Sequence, residues 1–173
     1  MQAVILKKIP VKEYDELIVC YTKDLGKQVY HAKSILRPTS KQASHLDVLN
    51  FVDFSLVEGN GHPIVTSAYC LKAFAGLKSS LPAMSAAYFL LEAFDKIVFE
   101  GEQDAQLWDF LLSRLNDYDA VAKTTSGGIK WADAINSSRR EMLKVLGYGE
   151  DISLEEVANA HFRSLQFARK VIK

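Results

Sequence analysis

The hydrophobic pattern of this chain changes its period once, and that change constrains the fold more than any single residue does. Up to about Ala73 the apolar residues alternate, as they do on strands with one buried face. Beyond it they recur every three to four residues, as on helices. Strands first and helices after them give an α+β protein rather than a parallel α/β one.

The strand half reads as five segments. Ala3 to Ile9 is the first, ended by Pro10, which has no N–H for a ladder. Leu17 to Thr22 and Lys27 to Lys33 form a hairpin around Lys23-Asp-Leu-Gly26, with Gly26 free to take a positive φ. Val48 to Val57 alternates, and Glu58-Gly-Asn-Gly61 turns the chain into a fifth strand over Pro63 to Leu71. Five short strands in about seventy residues suit a small barrel. A five-stranded OB-like β-barrel over residues 1–75 is the economical choice, and an SH3-like barrel fits nearly as well on strand count.

The helical domain is expected over residues 76–173, with about four helices. Pro82 opens the first, whose stripe is Met84, Tyr88, Leu91, Phe94, Ile97 and Val98, with Gly101 as its stop. Asp104 to Asn116 is the second, and Lys130 to Leu146 the third. Ser153 and Glu156 form a capping box for the last, Leu154 to Ile172. The glycine-bearing Lys123 to Gly128 stretch between helices lacks the frame of a phosphate loop and reads as a linker.

Within the hairpin, Gln28, Tyr30 and Ala32 share one face, and Lys27, Val29, His31 and Lys33 the other. The chain leaves through a loop that carries Lys33, Arg37 and Lys41 and no acid. Lys27, His31, Lys33, Arg37 and Lys41 are therefore the candidate nucleic-acid contacts, with lysines as point charges and the arginine as a fork. Tyr30 is expected in the barrel core. Phe51 and Phe54 are opposed in phase, so one of them could be open to stack on a base.

The formal net charge is zero, which counts against a nucleic-acid binder unless the charges are segregated. They are. The loop region is basic, whereas Glu92 to Asp119 is acidic, and those acids are expected on solvated helix faces. The four histidines keep no metal-ligand spacing, and the two cysteines, Cys20 and Cys70, read as reduced core residues. A Cys20–His31 nucleophile pair across the hairpin lacks an orienting third group, so no catalytic residue is expected. With no apolar run long enough to span a bilayer and no signal-like start, a cytoplasmic protein without a membrane partner is expected.

Several of these stretches resemble the RecO family of bacterial recombination mediators. They are AVILKKI at the start, DELIVCYTKDLGK, VYHAKS leading into the basic loop, IVTSAYCLKAF, and the triplet Leu146-Gly147-Tyr148. The resemblance implies an OB-fold that binds single- and double-stranded DNA, assists strand annealing, and helps load recombinase on DNA coated by SSB. It implies RecR and the acidic SSB C-terminal tail as partners; no cofactor is expected. Lys130, Arg139, Arg140 and Lys144 are candidates for that tail by charge alone. Many members carry a four-cysteine zinc module after the Leu-Gly-Tyr triplet; here no cysteine follows Cys70, so no metal site is expected. The rival reading is a non-enzymatic module of the same shape that binds a polypeptide and no nucleic acid. A small-molecule enzyme comes third.

Overall fold

The computed structural model describes residues 1–124, 130–149 and 151–172. The linker expected over Lys123 to Gly128 lies largely outside the described residues; Lys123 and Thr124 themselves still belong to a helix. Contacts divide the chain into two units. One is Met1–Ala73 with Phe99–Gln103, the other Phe74–Val98 with Asp104–Lys173.

The first unit is a closed barrel of five strands: β1 (Gln2–Pro10), β2 (Glu16–Thr22), β3 (Gly26–Ala32), β4 (Phe51–Val57) and β5 (Ile64–Lys72). Around the barrel they run β1-β2-β3-β5-β4, with β4 returning to β1. All pairings are antiparallel except β3 with β5, which touch in parallel at His31 and Ile64. This is the five-stranded OB architecture.

The alternation places the core. Ala3, Ile5, Ile18, Cys20, Tyr30, Ala32, Val52, Phe54 and Val65 fill the barrel, and Ile35 and Leu46 close over it from the β3–β4 connection. Tyr30 packs edge-on to Phe54 with ring centres 5.3 Å apart, and its hydroxyl donates to Met1 Sδ. Of the two opposed phenylalanines, Phe54 is therefore the interior one and Phe51 is half-buried outside. The fourth strand starts later than the alternation from Val48 predicts. Leu49 has φ 77°, and the buried Asn50 spends its amide on the carbonyls of Ser44 and His45.

The β2–β3 turn is held by Thr22, whose hydroxyl donates to Gly26 O and accepts from Leu25 N. Gly26 is required twice over. Its φ is +65°, and a Cβ there would lie 1.9 Å from the Glu102 carbonyl oxygen. That carbonyl belongs to residues 99–103, which return to the barrel unit and attach through Gly101 N to Lys27 O at 2.9 Å.

The second unit is helical: α1 (Ala75–Lys78), α2 (Leu81–Ile97), α3 (Ala105–Thr124), α4 (Trp131–Val145), α5 (Leu154–Ala158) and α6 (Arg163–Val171). Its hub is α2, which packs on all five others. Alanines 83, 86, 87 and 93 let neighbours approach it closely, and Tyr88 points out rather than joining the apolar stripe. Ser80 caps its start, accepting from Ala83 N. It ends at Ile97, four residues before the expected stop; Gly101, at φ 79°, serves the 99–103 segment instead.

Three sequence expectations fail here, each for a tertiary reason. The second helix runs on to Thr124 because Leu115, Tyr118 and Asp119 are buried. The last helix is two: Asn159 turns left-handed at φ 46° after a capping-box start, and α6 begins afresh after Phe162. Its first turn is held by Glu92, 71 residues upstream, whose carboxylate accepts from Arg163 N and from Ser164 N and Oγ. The acids between Glu92 and Asp119 are accordingly not all solvated. Asp119, 1% exposed, accepts from Gly76 N and Leu77 N at the start of α1 and from Lys123 Nζ.

Candidate nucleic-acid interface

An OB barrel presents ligands to the outer face of β2–β3, flanked by the β1–β2 and β4–β5 loops. In this chain three connections meet at that end. The β1–β2 loop (residues 11–15) folds back on itself, with Val11 N donating to Asp15 O. Asp15 then reaches the exit of β3: one carboxylate oxygen accepts from Ser34 N at 2.7 Å, and the other lies 3.1 Å from His31 Nε2. Leu36 N donates to Tyr14 O, and the Arg37 guanidinium lies over the Tyr14 ring at 5.3 Å. The β4–β5 connection joins through His31 N, which donates to Pro63 O at 2.8 Å.

Asp15 is the clasp of this arrangement. Ser34 is in the left-handed region at φ 53°, a cost that the short bond to Asp15 offsets. The Ser34 N–H, the His31 ring and the Lys12 charge hold the Asp15 carboxyl below its ordinary range, against the opposing pull of desolvation. A carboxylate is thereby built into a basic surface without presenting a bare negative charge to it.

Of the residues singled out from sequence, Lys33 and Arg37 stand together on this loop, both exposed. Arg37 has one face of its guanidinium on the Tyr14 ring, which restricts its orientation. His31 is half-buried, and its ring goes to Asp15. Lys41 is further along, also exposed; its neighbour Gln42 donates to Thr66 O on β5, two residues past Ile64. Among the described residues, no carboxylate is in ion-pair range of Lys33, Arg37 or Lys41. Lys27 is set apart, at the other end of β3 beside the 99–103 segment. Sequence reasoning missed Lys12, Tyr14 and Asp15. The signal was an acid in the last turn before the hairpin, but its target lies 19 residues away.

The Cys20–His31 pair does not form. Cys20 faces the barrel interior opposite Gln28, where burial pushes its thiol pKa up, while His31 is opposite Leu17 and faces out. Cys20 and Cys70 are both free thiols. Lys8 on β1 pairs with Glu16 of β2 at 2.9 Å. No cluster of three or more His, Cys, Asp or Glu that could hold a metal occurs among the described residues. None of their helices is long and apolar enough to cross a membrane.

In the helical unit Arg139 pairs with Glu155. Lys130, Arg140 and Lys144 are exposed, and Arg140 and Lys144 flank Leu143 and Tyr148 in a cleft of about 240 Å³. A second cleft of about 360 Å³, between α4 and α6, is floored by Ile135, Leu165 and Ala168 and edged by Arg139 and Arg169.

A closed OB barrel with an unpaired basic loop fastened across one end defines the class: an OB-fold protein with a cationic binding edge. Residues 1–74 match the family profile described as "Recombination protein O N terminal". The chain thus carries a RecO-type N-terminal domain. It is similar to the DNA repair protein RecO of Dehalococcoides mccartyi, 27% identical over 164 residues, covering 95% of this chain and 61% of that protein. The RecO protein of Desulforudis audaxviator is 28% identical over 152 residues, 87% of this chain and 57% of the relative. That of Cutibacterium acnes is 33% identical over 98 residues, 56% and 40% respectively. The chain thus spans about half the length of the curated relatives it matches.

Proposed function

We propose that this chain is a DNA-binding protein of repair and recombination, which acts by holding strands and partners rather than by breaking bonds. The observation that carries the reading is the loop of Lys33, Arg37 and Lys41, free of acidic partners and fastened by Asp15 beside the β1–β2 loop of an OB barrel. Relatives over most of the chain carry the name DNA repair protein. Phosphates would meet Lys33, Arg37, Lys41 and Lys12, on single and double strands alike; His31 acts by holding the loop, and Lys27 contributes from the far end of β3. The titratable groups nearest this surface are already committed, His31 to Asp15 and Cys20 to the core, which favours binding over catalysis.

The finer roles follow the same logic: annealing of complementary strands, and recombinase loading on strands coated by SSB. Arg140, Lys144 and Lys130, with Tyr148 as an apolar wall, suit the acidic SSB tail. Arg139 is less available because Glu155 holds it. RecR is the other proposed partner, and the domain division at about residue 75 the proposed division of labour.

Fluorescence anisotropy of labelled DNA tests the reading, with wild type against Lys33→Ala/Arg37→Ala/Lys41→Ala at two salt concentrations. Salt-sensitive binding is expected, and the variant should lose about two units from the slope of log affinity on log salt, near 0.7 per lost phosphate contact on single strands. Wild type that ignores DNA even at low salt sinks the proposal.

A further inference from the structure

We propose that Tyr69 and His45 form a stacking platform for the bases of single-stranded nucleic acid on the outer face of β5. The proposal rests on the DNA-binding reading above and extends it from phosphates to bases.

The platform arises where the barrel is least sheet-like. β5 meets β3 only at Ile64 and His31, so from Thr66 onward that edge of β5 has no strand partner from β3. The β3–β4 connection fills in. Gln42 Nε2 donates to Thr66 O at 2.8 Å, and Cys70 N donates to His45 Nδ1 at 3.2 Å. The second bond fixes the imidazole: Nδ1 accepts, so Nε2 is left to carry the hydrogen of the neutral ring. Held in that pose, the ring stacks on Tyr69 with centres 5.9 Å apart and planes 26° from parallel.

Tyr69 is nevertheless 66% exposed, a large aromatic ring left open on a barrel wall. A ring already stiffened by a stacked neighbour loses little freedom when a flat ligand joins it. Bases are such ligands, and their faces are available in single strands rather than in a duplex. The cations are in reach. Lys41 precedes the Gln42 anchor, and Lys33 and Arg37 leave the barrel near His31, five residues along β5 from Tyr69 at Ile64, roughly 16 Å. A strand whose phosphates follow the loop therefore passes the platform.

The setting disfavours the competing occupants. Strand addition by a peptide needs the Thr66 carbonyl and the Cys70 amide, and both are taken by the loop. Exposed Thr66 and Ser67 give the surround hydroxyls, while Leu71 adds the one large apolar neighbour on this stretch. The acid nearest in register, Asp53 opposite Tyr69, lies 2.7 Å from the Met1 ammonium, so its charge is compensated.

The experiment uses the whole chain with Tyr69→Ala, Tyr69→Phe and His45→Ala variants. Each is titrated into a labelled single-stranded oligonucleotide, the same strand as a duplex, and a single strand carrying 2-aminopurine. Tyr69→Ala should lower single-strand affinity roughly fivefold to a hundredfold, with duplex binding and the salt slope nearly unchanged. Tyr69→Phe keeps the ring and should bind as wild type; His45→Ala should lie between. Wild type should quench 2-aminopurine, and Tyr69→Ala should not. Should Tyr69→Ala fail to fold, the wild-type quench and the Tyr69→Phe affinity still decide. Unchanged single-strand affinity in Tyr69→Ala, equal losses on duplex and single strand, or no quench with wild type overturns the platform while phosphate binding stands. Wild type binding no DNA overturns both readings at once.

Discussion

Both units use carboxylates to collect backbone N–H groups, but to different ends. In the helical unit Asp119 and Glu92 each start a helix, and the nearby cations are drawn into the same bonds: Lys123 to Asp119, Lys96 to Glu92. Arg114 and Arg139 are likewise paired with acids. In the barrel Asp15 holds a loop, and the cations on that loop stay unpaired. Those four cations of the helical unit are consumed by folding, though its Lys130, Arg140 and Lys144 stay exposed; on the barrel loop Lys33, Arg37 and Lys41 have no acidic partner among the described residues. The number of cations in a region therefore says less about binding than what their nearest acids are already doing.

The largest test of that contrast is Asp119→Ala. It orphans two buried N–H groups at α1 and should cost about 2–3 kcal/mol of stability. Both tryptophans, Trp108 and Trp131, lie in the helical unit, so tryptophan fluorescence in urea should show a lower midpoint. DNA affinity of the folded fraction should not move. Glu92→Ala should cost less, about 1–2 kcal/mol, because its site is half-buried and water can replace part of the lost cap. Its mark should be local, with faster hydrogen exchange across Arg163–Val171.

Asp15→Asn reads the other side of the comparison. It removes an acid from a cationic surface, so Coulomb attraction alone predicts tighter DNA binding. If the carboxylate matters as a clasp, affinity should instead fall about fivefold, one hydrogen bond's worth. A tighter complex would show that the basic loop needs no holding.

The smallest effect is the response to acid. Burial works to raise the Glu92 and Asp119 carboxyls, but the Ser164 and Arg163 N–H groups with Lys96, and Lys123 with the α1 N–H groups, outweigh it, so both lie below their ordinary values. Carboxyls lowered in the folded state contribute stability that is present above about pH 4 and lost as pH falls through the lower folded values. Urea midpoints from tryptophan fluorescence should be flat from neutrality to about pH 5 and decline below it, and less steeply in Asp119→Ala.

What could be read from sequence followed the range of the interaction. Alternation over Leu17–Thr22 and Lys27–Lys33 is local, and it gave the hairpin, its faces and the buried Tyr30. The loop charges were equally plain. Alternation could not show that Leu49 would turn left-handed, since that depends on Ile5 O of the neighbouring strand β1, distant in sequence, accepting from Leu49 N. Asn159 reads as an ordinary helix residue until Glu92 arrives from another helix to start a new one. In the candidate site the charged side chains were visible, but the clasp and the stacked pair were not. Asp15 meets Ser34, and His45 meets Tyr69, only after the barrel closes.

The return of residues 99–103 to the barrel unit also sets an order of events during synthesis. Gly26 and the Lys27 carbonyl meet their partners, Glu102 and Gly101, only once the ribosome has made α2 and the residues just beyond it. All five strands are translated by Lys72, yet the barrel unit waits some thirty residues for its last segment. A gene fragment cut at the end of β5 would encode every strand and still omit part of the domain. Boundaries drawn for expression should therefore fall after Gln103 or not divide the chain at all.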